Sequence, residues 1–324
     1  MKLVADIGGT HARFALLDAV GEPTQIQNLK TVDFIDLGAA MKAYLKMSQT
    51  SALAAVVSIA APLAGDRVRM TNASWDFSID KTKQDVGLQS LCLINDFEAL
   101  ALAVPTLQVH ELQAVGHALP QDTQLAKAIL GPGTGLGMAG VMPVVVNGQM
   151  TWHALPCEGG HASVAPTTER EVTLLQAIWN MASESAGVRH ICWEDLLSGT
   201  GLPLLHRAVC VVDGFAYQPL TPAQMGEAAL MHADAASLVT LNTFCDMLGS
   251  AAGDLALMMG ARGGVYIKGG VLDRMLELAP HFFAQSKFRE RFEAKGAYQA
   301  YMQSIPTWLI KTPQIALRGC AALL

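Results

Sequence analysis

Twice along this chain an apolar run of strand length stops at a glycine turn and resumes as a second apolar run. Residues 3–7 lead into Gly8-Gly9 and are answered by residues 12–17. Residues 126–130 lead into Gly131-Pro132-Gly133-Thr134-Gly135-Leu136-Gly137 and are answered by residues 138–146. Apolar runs of this length bounded by glycine read as buried strands, and a pair of them about a turn reads as a hairpin. A plan that recurs so far along one sequence predicts an internal duplication: two α/β halves, each opening on a hairpin, facing one another across a cleft. Clefts of that kind are where ligands bind.

A length of 324 residues fits two domains better than one or three, each large enough to bury a core. No low-complexity linker separates them, which leaves a soft boundary at about residues 109–119. Although 51% of the residues are hydrophobic, no uninterrupted apolar run approaches the ~18 residues that a membrane span needs. Met1-Lys2-Leu3-Val4-Ala5-Asp6 reaches an acid almost at once and lacks the apolar segment of a signal peptide, so it reads as a strand and the expected location is cytoplasmic. A formal charge of -6 leaves no basic surplus to set against a phosphate backbone, which argues against nucleic acid and anionic membrane as partners. The 6 cysteines stand singly, without a C-x-x-C pair, and read as reduced thiols, mostly in the core.

Between and beyond the turns the pattern alternates strand and helix. Leu37, Met41, Tyr44 and Leu45 fall at helical spacing after Asp36, and residues 53–60 form a strand. Asp80 and Gly87 bracket a short helix as its cap and its stop. Residues 91–94 read as a further buried strand that delivers Asn95 and Asp96 at its C-terminal end, ahead of a helix from about Phe97. Farther on, residues 234–248 carry Leu238, Leu241 and Leu248 on one helical side, and Val265-Tyr266-Ile267 is a strand ending at Gly269-Gly270.

Several clusters carry chemistry. Asp6-Ile7-Gly8-Gly9-Thr10 joins a carboxylate able to hold Mg2+, directly or through water, to glycines that take positive φ cheaply and admit a phosphate to the backbone. A Gly-Gly hairpin turn beside a chance acid accounts for the same residues. In residues 131–137, four glycines and a threonine exceed what a hairpin requires, and a cradle of N–H groups for phosphate is the better account. Gly135-x-Gly137-x-x-Gly140 also fits the dinucleotide fingerprint, but residues 141–146, with Pro143 inside, are β-like where that fingerprint opens a helix. The lysine of a P-loop and the serine of a hydrolase elbow are both missing. Asp96 suits a base at a strand end and equally a helix cap. Glu158-Gly159-Gly160-His161 offers an acceptor and a donor to a hydroxyl-rich ligand. His161 with Cys157 is alternatively a metal pair, although no second pair at ligand spacing completes a zinc site. Together these parts fit a phosphotransferase that moves the terminal phosphoryl of a nucleotide onto an alcohol.

The motifs, in this order, resemble those of the bacterial glucokinases, ATP-dependent hexose kinases of the actin and hexokinase fold. They are Asp6-Ile7-Gly8-Gly9-Thr10-His11-Ala12-Arg13, Met70-Thr71-Asn72 with Trp75, Leu93-Ile94-Asn95-Asp96-Phe97, the 131–137 turn, Leu155-Pro156-Cys157-Glu158-Gly159-Gly160-His161, Leu197-Ser198-Gly199 and Gly269-Gly270-Val271. The resemblance covers nearly the whole chain. It implies a two-domain actin-like ATPase (ribonuclease H-like) α/β fold, with a small domain of residues 1–110, a large domain of residues 111–311, and a last helix, about 312–324, returning to the small domain. It implies ATP, Mg2+ and glucose as ligands, and a homodimer.

By the same resemblance, Asn72, Asn95, Asp96, Glu158, His161 and Glu194 hold the sugar, and Asp96 takes the proton from its 6-hydroxyl. Asp6, Gly8, Gly9 and Thr10, with Gly131, Gly133, Thr134 and Gly135, embrace the phosphates of Mg-ATP, Asp6 facing the metal. Gly269 and Gly270 lie near the adenosine. The chain departs from the family at His11, where asparagine is general, at Lys268, where a small residue is usual, and at Arg318-Gly319-Cys320, within a small apolar C-terminal motif. The C-x-C-G-x-x-G-C zinc motif of the related repressor and kinase branch is absent. A kinase for another hexose would keep every motif named, and a sugar-sensing regulator has the net charge against it. Lys268 reads either as a cation beside the nucleotide or as a solvated lysine at a strand end.

Overall fold

Leu3, Val4, Ala5 and Ile7 are fully buried, as a strand is when both faces of its sheet are covered. They belong to β1 (Lys2–Ile7), which pairs antiparallel with β2 (His11–Leu17); β3 (Pro23–Lys30) continues that edge. On the other side β1 pairs parallel with β4 (Ala54–Ile59). β5 (Arg67–Arg69) and β6 (Asp76–Ser78) form a separate ribbon, and β7 (Ser90–Asn95) closes the sheet in the order β3-β2-β1-β4-β7. Residues 91–94 are therefore not the buried run that the sequence suggested: Cys92 is exposed and only Ile94 is buried, because an edge strand has one neighbour.

Helix α1 (Leu37–Met47) starts where the Asp36 carboxylate accepts the Ala39 N–H at 2.8 Å. Helix α2 (Ile79–Val86) ends at left-handed Gly87, as expected, but its cap is Ser78, which accepts the Lys81 N–H at 3.1 Å. Asp80 sits two residues past the cap, inside the helix, and adds favourable charge to the first turn instead. Helix α3 (Asp96–Ala103) is capped by Asn95, whose Oδ1 accepts the Phe97 N–H at 2.8 Å. Asp96 is thus the first helical residue rather than the cap.

A second sheet has the order β11-β10-β9-β12-β13-β8, built from β8 (Leu112–Ala114), β9 (Lys127–Pro132), β10 (Leu136–Val146), β11 (Gln149–Cys157), β12 (Val265–Ile267) and β13 (Thr307–Ile310). β9, β12 and β13 run parallel, and β8 is antiparallel to β13. β10 and β11 meet at Asn147-Gly148, with φ of 51° and 77°, the conformation of a type I′ hairpin turn. Apart from the extra edge strand β8, this order repeats the first sheet strand for strand, which is the duplication expected from the two glycine turns.

Helices α4 (Glu169–Ala186), α5 (Leu202–Asp213), α6 (Pro222–His232) and α7 (Ala235–Met259) follow β11. α7 has 25 residues, well beyond the end expected at residue 248, because Gly249 and Gly253 are not breaks. They let another helix come close: a Cβ at Gly249 would strike the Phe288 carbonyl, and one at Gly253 would lie 2.7 Å from that of Phe292. α8 (Gly270–Leu278) follows β12, then the short α9 (Phe282–Gln285), α10 (Phe288–Glu293) and α11 (Gln299–Gln303), and after β13 comes α12 (Ala316–Ala321).

This computed structural model describes residues 1–61, 63–70, 73–117, 119–120, 124–186 and 190–324. It divides into two compact units, one of Met1–Gln108, Val141–Pro156 and Thr312–Leu324, the other of Val109–Gly140 and Cys157–Lys311. A cut at residue 110 alone would leave residues 141–156 in the second unit; they group with the first. Each unit has its own core, around Phe14, Tyr44 and Trp75 in the first and around Phe244, Phe288 and Phe292 in the second. Cys192, Cys210, Cys245 and Cys320 are buried free thiols, Cys157 is half-buried and Cys92 exposed. Among the described residues no helix is long and apolar enough to cross a membrane.

Candidate active site

In the first unit, strand register decides the surroundings of Asp6. It lies opposite Arg13 on β2 and beside Ser58 on β4. Its Oδ2 accepts from Arg13 at 3.1 Å and its Oδ1 from Ser58 Oγ at 2.9 Å. The turn that follows is pinned from below: Thr31 Oγ1 donates to the Gly9 carbonyl at 2.7 Å, and the Thr31 N–H to the Thr10 carbonyl at 3.1 Å. Trp75 Nε1 in turn donates to the Thr31 carbonyl at 3.1 Å. Thr31, 3% exposed, was not found from sequence, since a lone threonine after a strand carries no signal.

The glycines of this turn do not do what the sequence suggested. Neither Gly8 nor Gly9 is among the residues with positive φ, and a Cβ at Gly8 would meet nothing closer than the His11 carbonyl at 3.6 Å. At Gly8, glycine is not required by the chain itself. The bare backbone leaves a place for an outside group to approach.

Asn95 and Asp96 lie at the same end of the sheet. Asp6, Ser58 and Ile94 are in register, so Asn95 stands one residue beyond the row of Asp6 and two strands away, at about 10 Å. Ligands of α/β sheets collect at the carboxyl ends of parallel strands, which is where both motifs emerge. Asp96 is half-buried, and its Oδ1 accepts the Phe97 N–H at 3.0 Å. Asn72 lies outside the described residues.

In the second unit the other candidates are bonded to one another. Gly133 donates its N–H to the Gly135 carbonyl at 2.8 Å, closing the turn between β9 and β10. The segment from residue 193 to 200 is laced to this turn. Gly199 N–H donates to the Gly133 carbonyl at 2.8 Å, Thr200 Oγ1 to that of Thr134 at 3.0 Å, and Leu136 N–H to Glu194 Oε2 at 2.7 Å. The same segment holds the Glu158 to His161 loop: Glu194 N–H donates to the Gly160 carbonyl at 2.8 Å and Trp193 N–H to that of Ala162 at 3.1 Å. Glu158 and His161 are exposed and Glu194 is half-buried, so all three present polar groups from one bonded cluster.

The sulfur beside His161 is that of Cys192, 3.9 Å from Nδ1, and not that of Cys157, which donates to the Met138 carbonyl. The Cys192 thiol donates to Asp195 Oδ2 at 3.2 Å, and burial pushes its pKa up. Among the described residues no three His, Cys, Asp or Glu side chains are grouped to hold a metal, which leaves the zinc alternative without a third ligand. Gly269 caps α8 without a side chain, and a Cβ on it would strike Pro132, while one on Gly270 would meet no atom within 4 Å. The N–H groups that open α8 therefore carry no side-chain cap, and the helix start at Gly270 has room for a group to approach.

The glucokinase family model matches residues 3–324. The chain belongs to the glucokinase family. It is 47% identical to the glucokinase of Chromobacterium violaceum over 99% of this chain and 88% of that one, and 41% identical to that of Paramagnetospirillum magneticum over 100% and 97%. The crystal structure of a glucokinase from an Antarctic psychrotroph superposes with a TM-score of 0.86 at 35% identity, covering 100% of this chain and 98% of that one. The fold is that of the actin-like ATPases.

Each departure from the glucokinase pattern has a local account. His11 serves the turn through its carbonyl, which accepts the Gly8 N–H at 2.9 Å, so its side chain is free to vary. Lys268 is mostly covered and paired: Nζ contacts Asp273 Oδ1 at 2.8 Å across the first turn of α8. At the C-terminus, a Cβ on Gly319 would strike the Ala99 carbonyl, so α12 lies directly on α3. Cys320 fills the space beneath, against the Ala5 carbonyl at 3.5 Å, where burial pushes its thiol up to about 12.

Proposed function

We propose that this chain transfers the γ-phosphoryl of ATP to the 6-hydroxyl of D-glucose, giving glucose 6-phosphate and ADP, with Asp96 as general base. The observation that supports it most is the emergence of Asp96, half-buried at a helix start, from the same sheet end as the Asp6 turn. A sugar hydroxyl is a poor nucleophile, and a carboxylate beside it accepts the proton as the bond to phosphorus forms. Asn72, Asn95, Glu158, His161 and Glu194 supply the donors and acceptors that orient the sugar. N–H groups of the two turns, with Gly8, Gly9 and Thr10 on one and Gly131, Gly133, Thr134 and Gly135 on the other, disperse charge on the phosphoryl oxygens. Gly269 and Gly270 border the nucleotide.

Mg2+, when bound to ATP, would neutralise part of the phosphate charge. Both oxygens of Asp6 already accept a hydrogen bond, and each keeps one lone pair, which suits a water of the ion better than direct ligation. A cytoplasmic homodimer completes the proposal, and sedimentation of the purified protein checks its assembly.

The test is a coupled assay in which glucose 6-phosphate forms only when glucose, ATP and Mg2+ are all present; turnover in excess EDTA would remove the metal. Asp96→Asn should lower kcat by about 10² to 10⁴ while calorimetry still shows glucose binding. Glu158→Gln should act mainly on KM for glucose. Near-normal kcat in Asp96→Asn, with none in Glu158→Gln, would transfer the base to Glu158. Initial rates across a sugar panel fix the substrate, and preference for an N-acetyl hexose would displace glucose.

A further inference from the structure

Glu194 occupies an unexpected place for a sugar ligand. Its Oε2 accepts the Leu136 N–H at 2.7 Å, inside the glycine turn proposed for phosphate. The carboxylate fills the volume that a side chain at Gly135 would need, since a Cβ there would collide with Oε2. An anionic acceptor thus sits on a backbone donor where an anionic phosphate is expected, and two anions do not share one N–H group at low cost. Among the described residues Oε1 accepts no hydrogen bond beside the one to Oε2, and the residue's own N–H is bonded to Gly160, within the sugar cluster.

We infer that Glu194 couples the two substrates: without sugar its carboxylate blocks the Leu136 N–H, and hydroxyls of a bound hexose draw it off and open the turn to phosphate. The inference rests on the sugar and phosphate assignments proposed above. The two-state element is one side chain with two competing partners, and both ligands bias it, which is what energetic coupling between sites requires. Thermodynamic reciprocity then demands that the nucleotide raise affinity for the sugar by the same factor. The consequence is functional. An empty sugar site keeps ATP loosely held, so water has less opportunity to take the phosphoryl group.

The rival role for the same bond is a strut that shapes the turn for phosphate, and it predicts the opposite sign. The experiment is calorimetric titration of the full-length protein with β,γ-imido-ATP and Mg2+, with and without saturating glucose. Wild type should bind the analogue about 5-fold or more tighter with glucose present. Glu194→Gln removes the negative charge, so it should bind the analogue without glucose about 5-fold tighter than wild type does, and glucose should then change that affinity less than about 2-fold. Glu194→Asp, one methylene short of the N–H, should show the same loss of glucose dependence. Weaker or unchanged analogue binding by Glu194→Gln without glucose would overturn the coupling in favour of the strut. Wild-type glucose dependence in both variants would also overturn it, and if their glucose affinity were reduced at the same time, the sugar assignment would stand. Unchanged glucose affinity in both would remove Glu194 from the sugar site and the coupling with it.

Discussion

The two glycine turns follow one strand-turn-strand plan, yet the chain uses their glycines differently. After β1, a Cβ on Gly8 would make ordinary contact with a single carbonyl. After β9, a Cβ on Gly135 would strike Glu194, while Gly199 and Gly269 press on the backbones of Gly133 and Pro132. The first turn keeps its space at Gly8 for something outside the chain; the second keeps it at Gly133, where a Cβ would meet nothing closer than the Gly135 carbonyl at 3.9 Å, and gives it up at Gly135 to the chain's own carboxylate. A glycine-rich turn therefore reports that something comes close to the backbone, and only the surrounding atoms tell whether it is ligand or protein.

Alanine substitution at each turn separates these cases and carries the largest expected effect. Gly135→Ala should displace Glu194 and distort the turn, lowering kcat/KM for both glucose and ATP by about 10²-fold or more, the scale on which a 1 Å misplacement is felt. Its Tm should fall as well, because protein atoms must move. Gly8→Ala should leave Tm and calorimetric glucose affinity at wild-type values and lower kcat/KM for ATP alone, by about 10-fold. Loss of glucose affinity in Gly8→Ala with Gly135→Ala unaffected would invert the contrast.

A smaller effect is expected at the charge beside the first turn. Arg13 neutralises Asp6 from the facing strand, with side chains 34% and 18% exposed, so the pair is partly screened by water. Removing the guanidinium with Arg13→Gln should make Asp6 more attractive to hydrated Mg2+ by about 1 kcal/mol or less. Half-maximal activity should then need up to about 5-fold less Mg2+. Arg13→Gln should leave glucose affinity alone. An unaltered Mg2+ requirement would detach Asp6 from the metal.

Much of this contrast could not be seen in the sequence. The duplicated plan, the family and the fold were legible because buried strands, glycine turns and motif order are local patterns. Cap identity was legible only in part: Gly87 stood where expected, whereas Ser78 and Asn95 displaced Asp80 and Asp96, each by being the last extended residue before a helix. The end of α7 was misplaced because Gly249 and Gly253 look like breaks until the backbone of α10 is seen against them. The partners of the candidate site were least legible. Ser58 against Asp6, Thr31 beneath Gly9 and Leu136 on Glu194 join residues distant in sequence, and strand register and loop packing bring them together.

The smallest effect tests whether the two units respond alike to pH. In the first unit His11 is half-buried and His153 exposed, but in the second His206 is 2% exposed, with Nδ1 2.9 Å from Thr240 Oγ1 and Nε2 beside Cys210. Burial lowers its pKa below the ordinary 6.5, opposed in part by the charge of Asp234. Between those two pKa values the unfolded chain binds more protons than the folded one, so stability rises with pH. The contribution is full above pH 6.5 and is lost as pH falls through that value toward the folded pKa. His206→Gln keeps a hydrogen-bonding side chain that gains no proton. Scanning calorimetry at pH 7.5 and 5.5 should show the wild-type transition of the second unit falling by about 1 to 2 °C more than that of the variant. Equal slopes would mean that His206 is protonated as readily folded as unfolded.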